Sequence, residues 1–430
     1  IEYVPLNACN DCYDCPFYRS TYNNINNNNN LIQTYVHIFV TTALEIKQWS
    51  FSKASFKSVA QNYFGLIIPT VLRGKVNEKN VRFSIVLKLA PTDERYRVSG
   101  AVTVMFAREI FVYSKLLNKY QEIQKNYPLS CCYVIPKCYY VNLDYCKEVV
   151  AMQNMCEEGY KPYVNSMFLD LPHITLALKS LAKFHALSFI LEERASEVFE
   201  EAKKCCIPLT EKSNKRYINI LTDRLIKALE KFENTPYIAL LETLKQKCVQ
   251  FIEMAVNSVR NLCLCHGDMW KENLLFQYED SKPVSACIID YQTTRICSPA
   301  FDVLYLIVSS TTTVLRKDYF KRLLDIYYQT FDDTLSQSNL NSNDIYSEEM
   351  FQHDLQIVSP ACLIVANTAV WLSSGLQQEG HVRSKIILRT DEEKMEAVRN
   401  YTNIIANIID DLTNYGYLEI LSEFNCYIVC

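Results

Sequence analysis

Apolar and polar positions change rhythm twice along this chain. From about Phe51 to Met155 the pattern is mixed and rich in strand-like runs. Phe83-Ser84-Ile85-Val86-Leu87-Lys88-Leu89 is β-branched and apolar, is bounded by Asn80 and Pro91, and predicts a strand. Between Val102 and Tyr120, Met105, Phe106, Ile110, Tyr113, Leu116 and Leu117 recur at helical spacing. Cys132 to Val141 and Glu148 to Met152 read as two further strands. The first part is thus a small sheet with one packed helix.

Beyond Met155 long helical periods take over. Pro172 can open a helix reaching about Leu191, because its missing N–H is no loss in a first turn. Asn214 to Leu262 reads as two more helices. Leu262 to Cys265, Leu274 to Tyr278 and Ala286 to Ile289 then read as three short strands, and helical patterns resume from Phe301. A β-rich part followed by a helical part predicts an α+β, two-lobed fold. The expected division is a leader over residues 1–50, an N-lobe over 51–155 and a helical C-lobe over 156–430. Asn23 to Asn30 is asparagine apart from Ile25, which has little to bury and supports a poorly ordered leader.

Composition narrows the class. Apolar residues are 49% of the 430 and charged residues 21%, the balance of a soluble globular protein that can bury a core. A net charge of −4 supplies no broad basic field, so neither a nucleic acid nor a membrane surface is an expected partner. The 18 cysteines sit in a chain far longer than small disulfide scaffolds, and several, such as Cys263, Cys265 and Cys287, fall in apolar runs. Reduced thiols in a cytoplasmic monomer are expected. Cys9, Cys12 and Cys15 have metal-like spacing, but no second Cys/His pair follows at finger distance, so a chance cluster is the expectation. Leu31 to Ile46 is interrupted by Gln33, His37 and Glu45 and is short for a membrane span.

Several chemistries lose their motifs. The eight glycines include no two separated by a single residue, so no dinucleotide fingerprint can be written. Gly375-x4-Gly380 has P-loop spacing, yet His381 and Val382 stand where Lys and Ser/Thr are needed. No Gly-x-Ser-x-Gly elbow and no His-Glu-x-x-His pair occurs.

One constellation remains. His266-Gly267-Asp268-Met269-Trp270-Lys271-Glu272-Asn273 lies between two strand-like runs, and Ile288-Ile289-Asp290-Tyr291-Gln292 ends the next one. Phosphoryl transfer needs a carboxylate beside the attacking hydroxyl and oxygen ligands for magnesium on the phosphates. Asp268 suits the first task, and Asn273 and Asp290 suit the second. A His-Gly-Asp turn alone would read as loop chemistry. The added Asn at five residues and Asp one hairpin later match a kinase catalytic loop. Lys88 on the strongest strand and Glu109 on the following helix are the expected ion pair for the α- and β-phosphates. The short run from Asp290 to Asp302, without Ala-Pro-Glu, leaves no room for a long activation segment. Gly267 also replaces the Arg that protein kinases carry there, so a small-molecule acceptor is expected.

At this point the chain resembles the ecdysteroid kinase-like (CHK kinase-like) family, relatives of choline kinases and aminoglycoside phosphotransferases. The resemblance is carried by His266 to Phe276, Ile289 to Gln292 and Ser298 to Tyr305. Leu181 to Ala186 extends it, and Asn62-Tyr63, Lys88 and Glu109 do so more loosely. It spans roughly Phe56 to Glu423. It implies a protein-kinase-like fold, ATP and Mg2+ as cofactors, and an ecdysteroid, xenobiotic or related hydroxylated acceptor. It implies Asp268 as catalytic base, Asn273 and Asp290 as magnesium ligands, and Lys88, Glu109, Asn62 and Gly65 as nucleotide-binding. It makes Asp302 a structural brace. His185, on an apolar helix, is expected to be a satisfied core histidine. Two departures stand out. Ala60 replaces the usual glycine of the nucleotide-covering loop, where glycine permits close approach to phosphate, and Gln153-Asn154 replaces an acidic pair at the inter-lobe hinge. A kinase-fold protein that binds a small molecule without catalysis is the alternative.

Overall fold

A computed structural model describes residues 47–53, 65–76, 78–259, 261–376 and 390–425. Asn62, Ala60, the Cys9–Cys15 cluster and the asparagine run lie outside the described residues. The chain divides into two compact units, Ile1–Lys53 with Thr70–Phe83, and Ala54–Pro69 with Ser84–Cys430.

In the first unit, strand β1 (Lys47–Lys53) pairs antiparallel with the Thr70–Lys75 stretch of β2 (Leu66–Val76). Arg73 donates to Ser52 across that pair at 3.4 Å. β1 begins at Lys47, so it straddles the boundary that the sequence pattern placed after residue 50.

The second unit holds Ala54–Pro69 and everything from Ser84 onward, so the next strand begins in the first unit and ends in the second. Strand β3 (Lys79–Leu89) extends the predicted strand by four residues at its start. Its second half alternates, with Ile85, Leu87 and Leu89 all buried on one face and Lys88 on the other. Helix α1 (Glu94–Gly100) follows, then α2 (Val102–Phe111), which runs through a π turn at Val112–Leu116 into α3 (Leu117–Ile123). The predicted single helix is therefore present with a π turn inside it. β4 (Cys138–Asn142) and β5 (Val149–Gln153) complete the small sheet, with β3 pairing β5 at Lys88↔Val150 and β4 pairing β5. The expected strand from Cys132 starts only at Cys138. Pro136 has no N–H for a ladder, and Cys132–Lys137 runs without regular structure.

Strand β6 (Tyr160–Pro162) leads into α4 (Leu171–Arg194), whose first turn carries Pro172 and is capped by the Asp170 carboxylate accepting the His173 N–H. Leu178, Leu181, Leu187 and Ile190 on α4 are fully buried, each worth about 1.5–3 kcal/mol of transfer free energy. Helices α5 (Ser196–Cys205), α6 (Lys215–Lys231), α7 (Ile238–Gln246) and α8 (Cys248–Asn257) come next. The Asn214–Leu262 stretch thus holds three helices rather than two. Pro236 marks the first break, but the second, at Lys247, has no proline or glycine to announce it.

The three short strands predicted in mid-chain are present as β7 (Cys263–Cys265), β8 (Leu274–Glu279) and β9 (Lys282–Ile288). β8 pairs with both β9 and β6, and β7 pairs with β10 (Arg295–Cys297). Helices α9 (Pro299–Ser310), α10 (Thr313–Ser336), α11 (Ser342–Ile345), α12 (Glu348–Ser373), α13 (Asp391–Asn414) and α14 (Ile420–Asn425) complete the described chain. α4 and α12 are long and apolar enough to cross a membrane, but 78% of each apolar window is buried inside the protein, as in core helices. The expected α+β class, a small antiparallel sheet followed by a mostly helical part, is what the structure shows.

Candidate active site

The segment His266–Asn273 connects β7 to β8, and Asp290 follows β9 after one residue. The hairpin fixes their relation. Leu274 pairs with Ile288, and just beyond that pair the Ile289 N–H donates to the Asn273 carbonyl at 3.1 Å. His266 closes the same turn from the other side, its Nε2 lying 3.0 Å from the Ile289 carbonyl while its Nδ1 accepts the Asp268 N–H. Those partners select the tautomer with the proton on Nε2.

Asp268 is half-buried, and its neighbours orient it. The Asn273 amide donates to the Asp268 carbonyl at 2.7 Å and to its Oδ2 at 3.1 Å, and the Tyr305 hydroxyl lies 3.4 Å from Oδ1. With its amide nitrogen so engaged, Asn273 keeps its side-chain oxygen for another partner. Asp290 adopts a left-handed backbone (φ 71°, ψ 64°), a conformation that costs a non-glycine residue about 1 kcal/mol or more. Its carboxylate thereby meets Lys88.

Lys88 reaches across from β3. Its ammonium contacts Glu109 Oε1 at 2.8 Å and Oε2 at 2.6 Å, Asp290 Oδ1 at 2.8 Å and Gln292 Oε1 at 3.3 Å. Lys88 and Glu109 are 2% and 1% exposed, so their polar groups are met by protein partners rather than by water. Burial works against the Lys88 cation, yet Asp290 and Glu109 together raise its pKa above the ordinary lysine value. Burial, with help from the Asp290 charge, pushes the Glu109 carboxyl up to about 7 against the pull of Lys88.

Below the loop, Asp302 in the first turn of α9 acts as the predicted brace. One carboxylate oxygen accepts the His266 N–H at 2.6 Å and the other the Gly267 N–H at 3.0 Å. Burial alone would raise its pKa, but His185, His266 and Arg295 outweigh it and hold the carboxyl below the usual range. His185 is the satisfied core histidine expected: it is fully buried, with Tyr327 2.8 Å from Nδ1 and Asp302 3.3 Å from Nε2. Its ligand atoms lie within 4.8 Å of Cys263 and Cys265, but with both nitrogens engaged it has no lone pair to spare for a metal.

Two glycines are needed by geometry. Gly267 has φ +80°, and a Cβ there would collide with the Thr293 carbonyl and the Arg295 guanidinium, which itself donates to the Gly267 carbonyl at 2.8 Å. At Gly65 a Cβ would sit 2.9 Å from the Leu89 carbonyl and 3.5 Å from Lys88 Cγ. Gly65 therefore lets the chain lie close against β3 beside Lys88. The two residues at the expected hinge are both hydrogen-bonded. Asn154 donates to Ser84 at 3.0 Å and accepts the Cys156 N–H, and Gln153 donates to Glu158 at 2.9 Å.

The structure thus brings together Lys88, Glu109 and Asp290, and sets Asp268 with Asn273 beside them, while Gly65 flanks Lys88. The sequence reading missed Gln292 as a partner of Lys88, Arg295 as a tie to Gly267, and Tyr305 as a neighbour of Asp268. Gln292 could have been found, since it lies two residues from Asp290. The oxygen-only set of Asn273 and Asp290 suits a hard divalent cation such as magnesium.

A family model described as the ecdysteroid kinase-like family matches residues 59–340, about two thirds of the chain. Among solved structures the chain is similar to the GDP complex of wild-type aminoglycoside 2'-phosphotransferase-IIIa. That likeness has 17% identity over 87% of this chain and 98% of the other, with a TM-score of 0.41. It is also similar to a choline/ethanolamine kinase family protein from Mesorhizobium loti, at 12% identity over 88% and 99% of the two chains and a TM-score of 0.39. Choline kinase from Streptococcus pneumoniae gives 10% identity, 87% and 99% coverage and a TM-score of 0.36. Scores this low leave the fold to be read from the chain's own elements. No curated protein matches the chain.

Proposed function

The chain belongs to the ecdysteroid kinase-like family, and from that premise we propose that it is an ATP-dependent kinase acting on a hydroxyl of a small molecule, an ecdysteroid or related hydroxylated compound. The observation that carries this reading is the joined set Lys88–Glu109–Asp290 beside Asp268–Asn273.

Each residue has a task that its surroundings support. Asp268 accepts the proton of the attacking hydroxyl, and its carboxylate is held in place by the Asn273 amide and the Tyr305 hydroxyl. Lys88 would meet the α- and β-phosphates of a bound nucleotide, its ammonium oriented by Glu109. Asn273 and Asp290 would hold magnesium, which when bound neutralises charge on the β- and γ-phosphates. Asp302 keeps the loop's backbone rigid, so that the acceptor hydroxyl meets an already oriented base.

The test is incubation with labelled ATP, magnesium and a panel of ecdysteroids and other hydroxylated compounds. Transfer of the γ-phosphate that disappears in Asp268→Ala supports the proposal, and no turnover on any acceptor removes it.

A second reading, a small-molecule binder without catalysis, rests on Ala60 standing in place of the covering-loop glycine. It expects no thermal stabilisation by ATP with magnesium, whereas a kinase is stabilised in proportion to ligand concentration over Kd. We prefer the enzyme, because the acidic and amide groups of the site are all kept. The thirteen described cysteines are free thiols, which suits the cytoplasmic monomer we propose. Recovery from a secretory lumen, or a dimer in sedimentation, would overturn that part.

A further inference from the structure

Arg108, the neighbour of Glu109 on α2, is 1% exposed and pairs with no carboxylate among the described residues. Its guanidinium instead donates to three backbone carbonyls from two separate segments. Nε lies 3.4 Å from the Cys205 carbonyl and one terminal nitrogen 3.1 Å from that of Ile207, at and just past the end of α5. The other terminal nitrogen lies 3.5 Å from the carbonyl of Gln292, whose side chain contacts Lys88. Burial, aided by the charge of Arg295, lowers the Arg108 pKa to about 10, so it stays cationic at neutral pH.

A buried cation without a counter-ion is costly unless its surroundings supply negative potential. The carbonyl end of a helix is such a surrounding, carrying about half an elementary negative charge. Spending so awkward a group on α2 makes sense if its placement matters. A purely apolar residue could fill the same volume.

We infer that Arg108 is a positioning residue that latches α2 to the end of α5 and to the Asp290–Gln292 turn, holding Glu109 where it orients Lys88. This rests on the kinase reading above. The latch works through a planar fork that reaches two segments at once, which an ammonium cannot copy. It sets the Lys88–Glu109 pair from within the chain, where kinases with long activation segments set it by moving the helix.

The experiment compares wild type, Arg108→Lys, Arg108→Met, Glu109→Gln and the Arg108→Met/Glu109→Gln double variant. The readouts are melting temperature, Kd for MgADP carrying a fluorescent ribose label, and separate kcat and KM for ATP. Folded Arg108→Met should lose of the order of 100-fold in kcat/KM for ATP and bind labelled MgADP more weakly, as small misplacements of reacting groups do. Its KM for the acceptor should not change, and Arg108→Lys should recover part of the loss. In the Glu109→Gln background the Met substitution should add little, because the two act through one ammonium. Nucleotide affinity and kcat/KM unchanged in either folded single variant, or losses that multiply in the double variant, would overturn the positioning role. Should Arg108→Met not fold, Arg108→Lys decides alone. Wild type that binds no labelled MgADP removes the kinase reading and this inference together, whereas normal binding with an inert Arg108 removes only the latter.

Discussion

The Lys88 ammonium lies 2.8 Å from the Asp290 carboxylate, on a residue 202 positions further along the chain. A single cation is thereby shared between a helix carboxylate and the carboxylate proposed to hold magnesium. Lys88 and Glu109 are buried and Asp290 is half-buried, so one ammonium lies between two carboxylates drawn from distant parts of the chain.

The coupling of that triad has a pH signature. Glu109 has a folded pKa of about 7, above its ordinary 4.5. Between those values the folded state binds more protons than the unfolded state, so this group's contribution to stability falls as pH rises from 4.5 to 7. Glu109→Gln removes the titration. Stability measured by urea unfolding should therefore rise, relative to wild type, as pH increases across that window. A pH-independent difference between the two proteins would contradict the assignment.

Asp268→Asn should leave the fold intact, because the residue is half-buried and its amide can still meet Asn273 and Tyr305. Loss of the proposed proton acceptor should lower kcat by about 100- to 10,000-fold, the usual contribution of general acid–base catalysis. Steady-state rates and a melting curve on the same preparation check both halves.

Asp302→Asn should damage stability as well as rate. An amide has one acceptor oxygen where the carboxylate offers two, so either the His266 or the Gly267 N–H loses its partner. An unsatisfied buried donor costs about 1–3 kcal/mol. Denaturant midpoints should move accordingly. An unchanged midpoint would mean that the loop finds its donors another acceptor.

Gly65→Ala tests the close approach beside β3. The new methyl meets the Leu89 carbonyl at 2.9 Å, so the strand or its neighbour must shift and carry Lys88 with it. KM for ATP should rise while KM for the acceptor stays as it was. Equal changes in both would place the effect elsewhere.

How much of this was legible in the sequence depended on how local each signal was. Asp268, Asn273 and Asp290 could be read because five residues of loop and one hairpin fix their spacing. Lys88 and Glu109 were legible through a strand followed by a helix, with the downstream motif supplying the reason to pair them. The Arg108 latch was not legible. Its partners are backbone carbonyls 97, 99 and 184 positions away, and a carbonyl carries no side-chain identity to be recognised. The break between α7 and α8 was invisible for a related reason: Gln246-Lys247-Cys248 are all acceptable in a helix, and packing decides. β10, at three residues, is too short to show a period of two.

The brace under the His266–Asn273 loop has a consequence for how that loop can move. Asp302 stands in the first turn of α9, a helix whose every residue is buried, so the loop's backbone is fastened to the protein's interior. The run from Asp290 to Asp302 is taken up by β10 and the start of that helix. No surplus stretch remains there to be tagged, swung out and swung back. Any change of state in this stretch would have to displace a buried helix rather than a surface loop.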